Sequence, residues 1–512
     1  MRISKKSVAL VIFIIIAIVV LSLILSRQQS SILTPENATI TSLEKAAELN
    51  PTSAPAYFTL GEAYFAAERI DESYAAYQRA FELDASYAEA YYGLGKYFLR
   101  KNEAETALAK LEIANKLSPE NTEIVFELAN AYKANGKFQE AETEYELAAK
   151  LDPFLLKAYY NLGVVQTELG KLSDAILNFK KALAVNPESA LTYYDLGVAY
   201  LKDNQPDQAI KSSLEALKWD PGLASSHRTI GSAYLQLGKF QDALDHYLEA
   251  FQSNPYDALL LNNIAYTYQQ LGDLAEAENY YLQAMDLNKS WEEPYYNLGI
   301  LYLNQGDNEK ALTNLEQAIK LNPYYYEAYT NLGAIYLKEQ NLQQAEQTFE
   351  KVLKFQPNDA GVLSNLGLIA YQQEQYEKAK LYFEKVLQEN PESAEAYINL
   401  GIILLEEGDT ETALAYAEEA VRLAPEIAQA HLNLALLLFR AQEYRRAAPE
   451  FEQALTLDQN NLEAYLYLGT CYSAIGELSK AAAALEKGLQ IFPTEESLRT
   501  KLNEVYEQLG LN

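Results

Sequence analysis

Cysteine is almost missing from this chain: among 512 residues, Cys471 is the only one. A single thiol excludes a disulfide within the chain, a CxxC redox pair and a cysteine-rich zinc site. Histidine is nearly as scarce. His227, His246 and His431 stand apart in sequence, with no HExxH or comparable ligand spacing, so no metal site is expected. A phosphate loop is missing too, since Gly93-Leu94-Gly95-Lys96 has neither the GxxxxGK[ST] spacing nor a strand before it. With no constellation of nucleophile, base and acid, the reading is a non-enzyme with no cofactor and no small-molecule substrate. Positive charge is also short, at 41 Lys and Arg against 71 Asp and Glu. The first 27 residues hold Arg2, Lys5, Lys6 and Arg27 and no acid, which leaves −34 on the remainder of a chain whose net charge is −30. Such a surface repels phosphate backbones, so nucleic acid is not expected as a partner. It suits a long solvated array, or the steering of a basic partner.

What is present begins with an apolar run. Residues 8–25, VALVIFIIIAIVVLSLIL, carry no charge. As a helix they would rise about 27 Å, near the hydrocarbon thickness of a bilayer. The run is longer than the core of a cleavable signal peptide, and no A-x-A-like site follows it, so an uncleaved signal-anchor is expected over a cleaved leader. Three basic residues precede it and one follows, so the positive-inside rule leaves the N-terminus, residues 1–7, in the cytoplasm. The expected localisation is therefore a single-pass membrane protein with residues 8–25 in the lipid bilayer. The rest of the chain would face the bacterial periplasm or the cell exterior. Residues 26–38 read as a polar tether.

Beyond the tether the chain repeats itself every 34 residues. Steps of 34 from Gly61 reach Gly95, Ala129, Gly163, Gly197, Gly231, Ala265, Gly299, Gly333, Gly367, Gly401, Ala435 and Gly469 without an insertion. These thirteen units occupy residues 54–495. Let the Gly or Ala be position 8 of each. Position 7 is then Leu or Ile throughout, and position 20 is Ala in every unit but the first, which has Ser73. Position 32 is usually Pro, from Pro119 to Pro493. Positions 4, 7, 8 and 11 share one face of a helix, and 20, 24 and 27 mark a second helix. Pro at 32 and frequent Gly at 15 would end the two helices. The pattern resembles the tetratricopeptide repeat family, with Tyr57, Tyr91, Tyr159, Tyr329 and others in place of the usual Trp at position 4. The resemblance implies an all-α, right-handed superhelical solenoid of 13 repeats. A lone helix pair cannot bury its apolar face, so residues 39–53 and 496–512 are expected to supply capping helices.

The motif YYNLG, at 159–163 and again at 295–299, points to a binding face. Positions 2, 6, 9 and 13 lie on the helix face opposite 4, 7, 8 and 11. In this family, the resemblance implies, that opposite face lines the concave groove. Position 6 is Asn in Asn161 and then, unit after unit, in Asn263, Asn297, Asn331, Asn365, Asn399 and Asn433. An amide has both a donor and an acceptor, which suits the backbone of an extended peptide. The row is similar to the asparagine ladder in the repeat arm of O-GlcNAc transferase, without the catalytic domain that follows that arm. Asn is also common at this position in the family, so residue usage alone is the competing explanation. Beside the ladder, position 9 is apolar at Ile300, Ala334, Leu368, Ile402 and Leu436, whereas the N-terminal units carry Glu62, Lys96, Asn130, Val164, Val198 and Ser232. A carboxylate clamp is not expected: Lys96 and Asn130 adjoin, but position 6 there is Gly93 or Glu127 and no Arg follows. The expectation is a membrane-tethered scaffold holding extended segments of protein partners in its groove. The alternatives are an assembly factor for envelope or polysaccharide export, or a targeting subunit of a glycosyltransferase complex.

Overall fold

The computed structural model describes residues 35–511. Among the described residues are 28 α-helices and no strand. Each repeat contributes a first helix that starts at position 1, such as Ala190–Lys202 or Tyr326–Lys338. Its second helix runs over positions 17–30, as in Leu172–Val185 and Leu342–Phe355. A helix Pro35–Leu49 precedes the first repeat and Glu496–Leu509 follows the last. The former begins at Pro35 rather than at residue 39, because proline's fixed φ suits a first helical turn.

Local chemistry sets the helix ends. Position 15 is left-handed in all thirteen repeats: seven are Gly, and Glu68, Asn102, Asn204, Gln340, Glu374 and Gln442 take φ of 56 to 60°. That conformation breaks the first helix and turns the chain back for the second. The second helix ends at position 30, and an Asp or Asn at 31 often accepts the backbone N–H two residues on, as Asp84 does from Ser86 at 2.8 Å and Asp152 from Phe154 at 2.9 Å. Position 34 then caps the next helix; Ser53, Ser189, Asp359 and Asn461 each accept from the third N–H of it. Such caps contribute about 1 kcal/mol each.

The two helices of a repeat meet where position 8 faces position 24. A Cβ added at Gly333 would sit 2.7 Å from Phe349 Cε1, at Gly367 2.7 Å from Phe383 Cζ, and at Gly163 2.8 Å from Phe179 Cε1. Glycine thus lets a large ring fill the space between helices. Tyr77, Tyr145, Tyr247, Phe349 and Phe451, all at position 24, are fully buried, as is the small residue at 20. Each such ring contributes about 1.5–3 kcal/mol. The buried seam of the first helix is wider than the pattern predicts. Positions 3 and 10 are buried along with 7 and 8, as Val362, Leu366, Gly367 and Ile369 show, whereas positions 4 and 11 are often only half-buried. The reason is that each first helix packs against neighbouring repeats as well as its own partner.

The chain divides into two compact units, Met1–Gly272 and Asp273–Asn512. Each is described below by itself. The localisation expected from the sequence is corrected here: among the described residues no helix is long and apolar enough to cross a membrane. The longest, Pro35–Leu49, has 15 residues and spans about 22 Å against the roughly 30 Å of a hydrocarbon core. Residues 8–25, on which the expected anchor rests, lie outside the described residues.

Candidate partner-binding face

With positions 3, 7, 8 and 10 buried, positions 2, 6, 9 and 13 of the first helix form its less covered side. In the C-terminal unit this side presents five of the ladder amides, and they differ in how they are engaged. Asn331 donates through Nδ2 to the Glu327 carbonyl at 2.9 Å and to the Tyr296 hydroxyl at 3.3 Å. Asn297 has a partner of its own. Asn365 and Asn399 are half-buried and make no side-chain hydrogen bond to the described residues. Asn433 is 7% exposed; its Oδ1 accepts from Gln429 at 2.7 Å, and its Nδ2 has no acceptor. The apolar neighbours at position 9 vary too. Leu368 is 36% exposed, Ile300 is half-buried, and Ile402 and Leu436 pack partly against adjoining core residues.

The sixth amide, Asn263, belongs to the N-terminal unit, where it is half-buried. There the same side of the helices is largely occupied by the protein itself. The Tyr77 hydroxyl donates to Glu62 at 2.5 Å, and Lys96 binds the same carboxylate at 2.8 Å. The Tyr145 hydroxyl donates to Asn130 at 2.5 Å, and Tyr247 shares a 3.0 Å bond with Ser232. In each case a tyrosine buried at position 24 passes across the repeat to the residue at position 9. Burial pushes the Tyr247 phenol up to about 12, so it stays protonated and able to donate. Asn161 accepts from Lys133 at 2.7 Å, and Asp195 accepts from Tyr160 at 2.7 Å. Burial raises the Asp195 carboxyl above its ordinary range, and the Tyr160 bond partly offsets that. Lys96, engaged with Glu62, is not free for a carboxylate clamp.

This geometry accounts for the polarity of position 9. A buried tyrosine hydroxyl needs a partner, so Tyr77, Tyr145 and Tyr247 go with Glu62, Asn130 and Ser232. Where position 24 is Leu315, Phe349, Phe383 or Phe451, nothing polar is required, and Ile300, Ala334, Leu368 and Leu436 stand opposite. The apolar stripe is therefore partly a consequence of the core.

Three further features were not read from the sequence. Tyrosines at position 11 donate to a glutamate twenty residues earlier, as Tyr132 to Glu112 and Tyr472 to Glu452, tying one repeat to the preceding one. His227 and His246, separate in sequence, meet because positions 4 and 23 of one repeat face each other. His431 and Glu450 make the same pairing at 2.6 Å. The shared spacing of nineteen residues was the available signal. Cys471 is fully buried and burial pushes its thiol up to about 12, which fits a packed residue and not a nucleophile. Among the described residues no three His, Cys, Asp or Glu side chains group around a metal position.

Comparison with known proteins agrees with this architecture. Models described as tetratricopeptide repeat match residues 98–162, 190–223, 225–257, 256–323, 296–360, 364–428 and 438–502, and models described as TPR repeat match 61–102 and 166–204. The chain belongs to the tetratricopeptide repeat family, and none of the matching models is of a catalytic type. No curated protein matches it in sequence. Among solved structures it is similar to the APC/C hetero-tetramer Cut9-Hcn1, at 15% identity over 92% of this chain and 99% of that one, with a TM-score of 0.43. It is similar to yeast Tom70 at 18% identity over 82% and 95%, TM-score 0.34, and to Pseudomonas aeruginosa pilF at 24% over 42% and 98%, TM-score 0.38. At these identities the likeness concerns the fold alone.

Proposed function

We propose that this protein is a non-catalytic interaction scaffold that holds an extended segment of a partner protein along the first helices of its C-terminal unit. The observation that carries the reading is the state of the amides. Asn365 and Asn399 are half-buried without a side-chain partner among the described residues, and Asn433 Nδ2 is buried without an acceptor. The half-buried Asn365 and Asn399 amides each offer a donor and an acceptor to a bound backbone, whereas Asn433 Nδ2 is enclosed by the protein's own atoms and contributes less. Exposed Leu368 and the half-buried Ile402 stand beside these amides and offer contacts to alternate side chains of the segment. The N-terminal unit is a poorer candidate, since its polar side chains already bind one another.

Photoreactive residues at 368 and 402, compared with the same groups at 164 and 198, test this directly. The expected result is that one partner crosslinks at 368 and 402 and that its adducts map to a contiguous segment. Adducts confined to 164 and 198 would overturn the assignment to the C-terminal unit.

A further inference from the structure

The aromatic end of the amide row carries an inference that rests on the reading just given and names the chemistry of the bound segment. The rings of Tyr296 and Tyr325 lie 4.8 Å apart between centroids, inclined by 39°, and the Tyr296 hydroxyl accepts from the ladder amide Asn331 at 3.3 Å. Glu293 and Glu327, each at position 2 of its repeat, act electrostatically on Tyr325, and Glu327 acts on Tyr296 as well. Part of Glu293 is exposed, but burial of the rest raises its carboxyl above the ordinary range, Glu292 beside it adds to the rise, and no Lys or Arg of the described residues lowers it. Two rings and two carboxylates thus share one corner of the face without a basic group.

Glutamate in a first helical turn has a simpler use, since it complements the helix dipole. That use requires no ring beside it. Elsewhere in the chain, a ring next to a carboxylate holds one of the protein's own cations. Lys96 pairs with Glu62 at 2.8 Å and lies 5.1 Å from the centre of the Tyr92 ring. Arg69 pairs with Glu72 at 3.1 Å and lies 4.5 Å from that of Tyr64, and Lys310 pairs with Asp307 at 3.3 Å and lies 4.8 Å from that of Tyr302. Among the described residues no Lys or Arg stands over Tyr296 or Tyr325.

The charge of the whole face points the same way. In the six repeats from residue 292 onward, positions 1, 2, 5, 6 and 9 carry Glu292, Glu293, Glu327, Glu395 and Glu463 and no Lys or Arg. None of these five glutamates joins an ion pair among the described residues. The same positions of the N-terminal unit mix both signs, with Lys96, Lys157 and Arg228 among the acids, and Lys96 and Arg228 are already paired with Glu62 and Asp257.

We propose that Tyr296, Tyr325, Glu293 and Glu327 receive an arginine side chain of the partner segment, so that the segment held along the amides is basic. The guanidinium would lie flat on the uncovered side of the ring pair while its N–H groups donate to the two carboxylates. Lysine, a point charge without a plane, matches that combination less well.

The test pans the full chain against a library of random peptides about ten residues long, and one enriched peptide is then synthesised with Arg, with its neutral isostere citrulline and with Lys. The expected result is that enriched peptides carry Arg well above its frequency in the library, and that citrulline weakens binding at least tenfold and Lys less so. Glu293→Gln together with Glu327→Gln should weaken the Arg peptide to the same degree and leave the citrulline peptide unchanged. The citrulline comparison uses the wild-type protein, so it does not depend on how the variants fold. Peptides enriched without Arg, yet weakened by Asn365→Ala with Asn399→Ala, would overturn this proposal and leave the amide reading standing; peptides indifferent to both pairs of substitutions would overturn both. A peptide of residues 1–7, which hold Arg2, Lys5 and Lys6, binding as tightly as any enriched peptide would assign the site to the chain itself and overturn the assignment to a partner.

Discussion

In the N-terminal unit, tyrosines at position 24 reach through the repeat and engage Glu62, Asn130 and Ser232. In the C-terminal unit Leu315, Phe349, Phe383 and Phe451 hold the same position and ask nothing of the residue opposite, whereas the buried Tyr281 at its start keeps an interaction of its own. One choice inside the core thus decides the polarity of a side chain on the outer side of the neighbouring helix. The exceptions have their own partners: Lys96 pairs with Glu62, and Thr470 bonds back to the Leu466 carbonyl at 2.8 Å. The comparison teaches that an apolar position 9 is weak evidence for binding, because packing alone produces it. An unengaged amide at position 6 is better evidence, because no core residue requires it.

The comparison can be broken at several points. The largest effect is expected from overpacking the contact between positions 8 and 24. Gly333→Leu would drive a side chain into Phe349 and cost more than about 2 kcal/mol. Hydrogen exchange should then rise first across residues 300–370, since each repeat leans on its neighbours; equal loss of protection throughout the C-terminal unit would contradict that. Next in size is the tyrosine pairing. Ser232→Ala leaves the Tyr247 hydroxyl buried without a partner and should cost about 1–3 kcal/mol in urea denaturation, most of it recovered by adding Tyr247→Phe. The matching change in the other unit, Leu368→Asn, touches no such pair and should stay within about 0.5 kcal/mol. A similar penalty for both would refute the proposed coupling.

Smaller effects follow from glycine. Glu374 at position 15 holds φ at 60°, so Glu374→Gly should stabilise by about 1 kcal/mol, measured as a rise in melting temperature. Gly401 is the repeat glycine that faces Ala417, and an added Cβ there meets nothing nearer than the Ala413 carbonyl oxygen at 3.6 Å. Gly401→Ala should therefore gain about 0.5–1 kcal/mol, whereas Gly367→Ala, 2.7 Å from Phe383, should not. If both alanine variants behave alike, the ring at position 24 is not what glycine accommodates.

The period, the two helices and the close approach at Gly333 or Gly367 were legible in the sequence, because a strict 34-residue register repeats every packing constraint many times over. The left-handed turn at position 15 was legible only where it is Gly. At Glu68 or Gln340 the same backbone is imposed by the helices on either side, against local preference. The width of the buried seam was missed because a helix-period pattern describes one covered face, and a first helix between stacked repeats has more than one. Pairs such as Tyr145 with Asn130 and His227 with His246 were hidden for another reason: they join positions fifteen and nineteen residues apart, a relation that appears only once the two helices are laid side by side. The ladder residues were all named from the sequence, but which amides are engaged was not, since that depends on neighbours such as Tyr296 and Gln429.

The central claim is that the unengaged amides of the C-terminal unit hold a partner's backbone. Its most direct test is the affinity of the Asn365→Ala, Asn399→Ala double variant for the partner captured at positions 368 and 402, read beside its melting temperature. Losing two amide pairs of roughly 0.5–1.5 kcal/mol each should weaken binding about tenfold. The melting temperature should not fall, since alanine on a half-exposed helical face gains a few tenths of a kcal/mol over asparagine. Undiminished affinity in a correctly folded double variant would contradict the account.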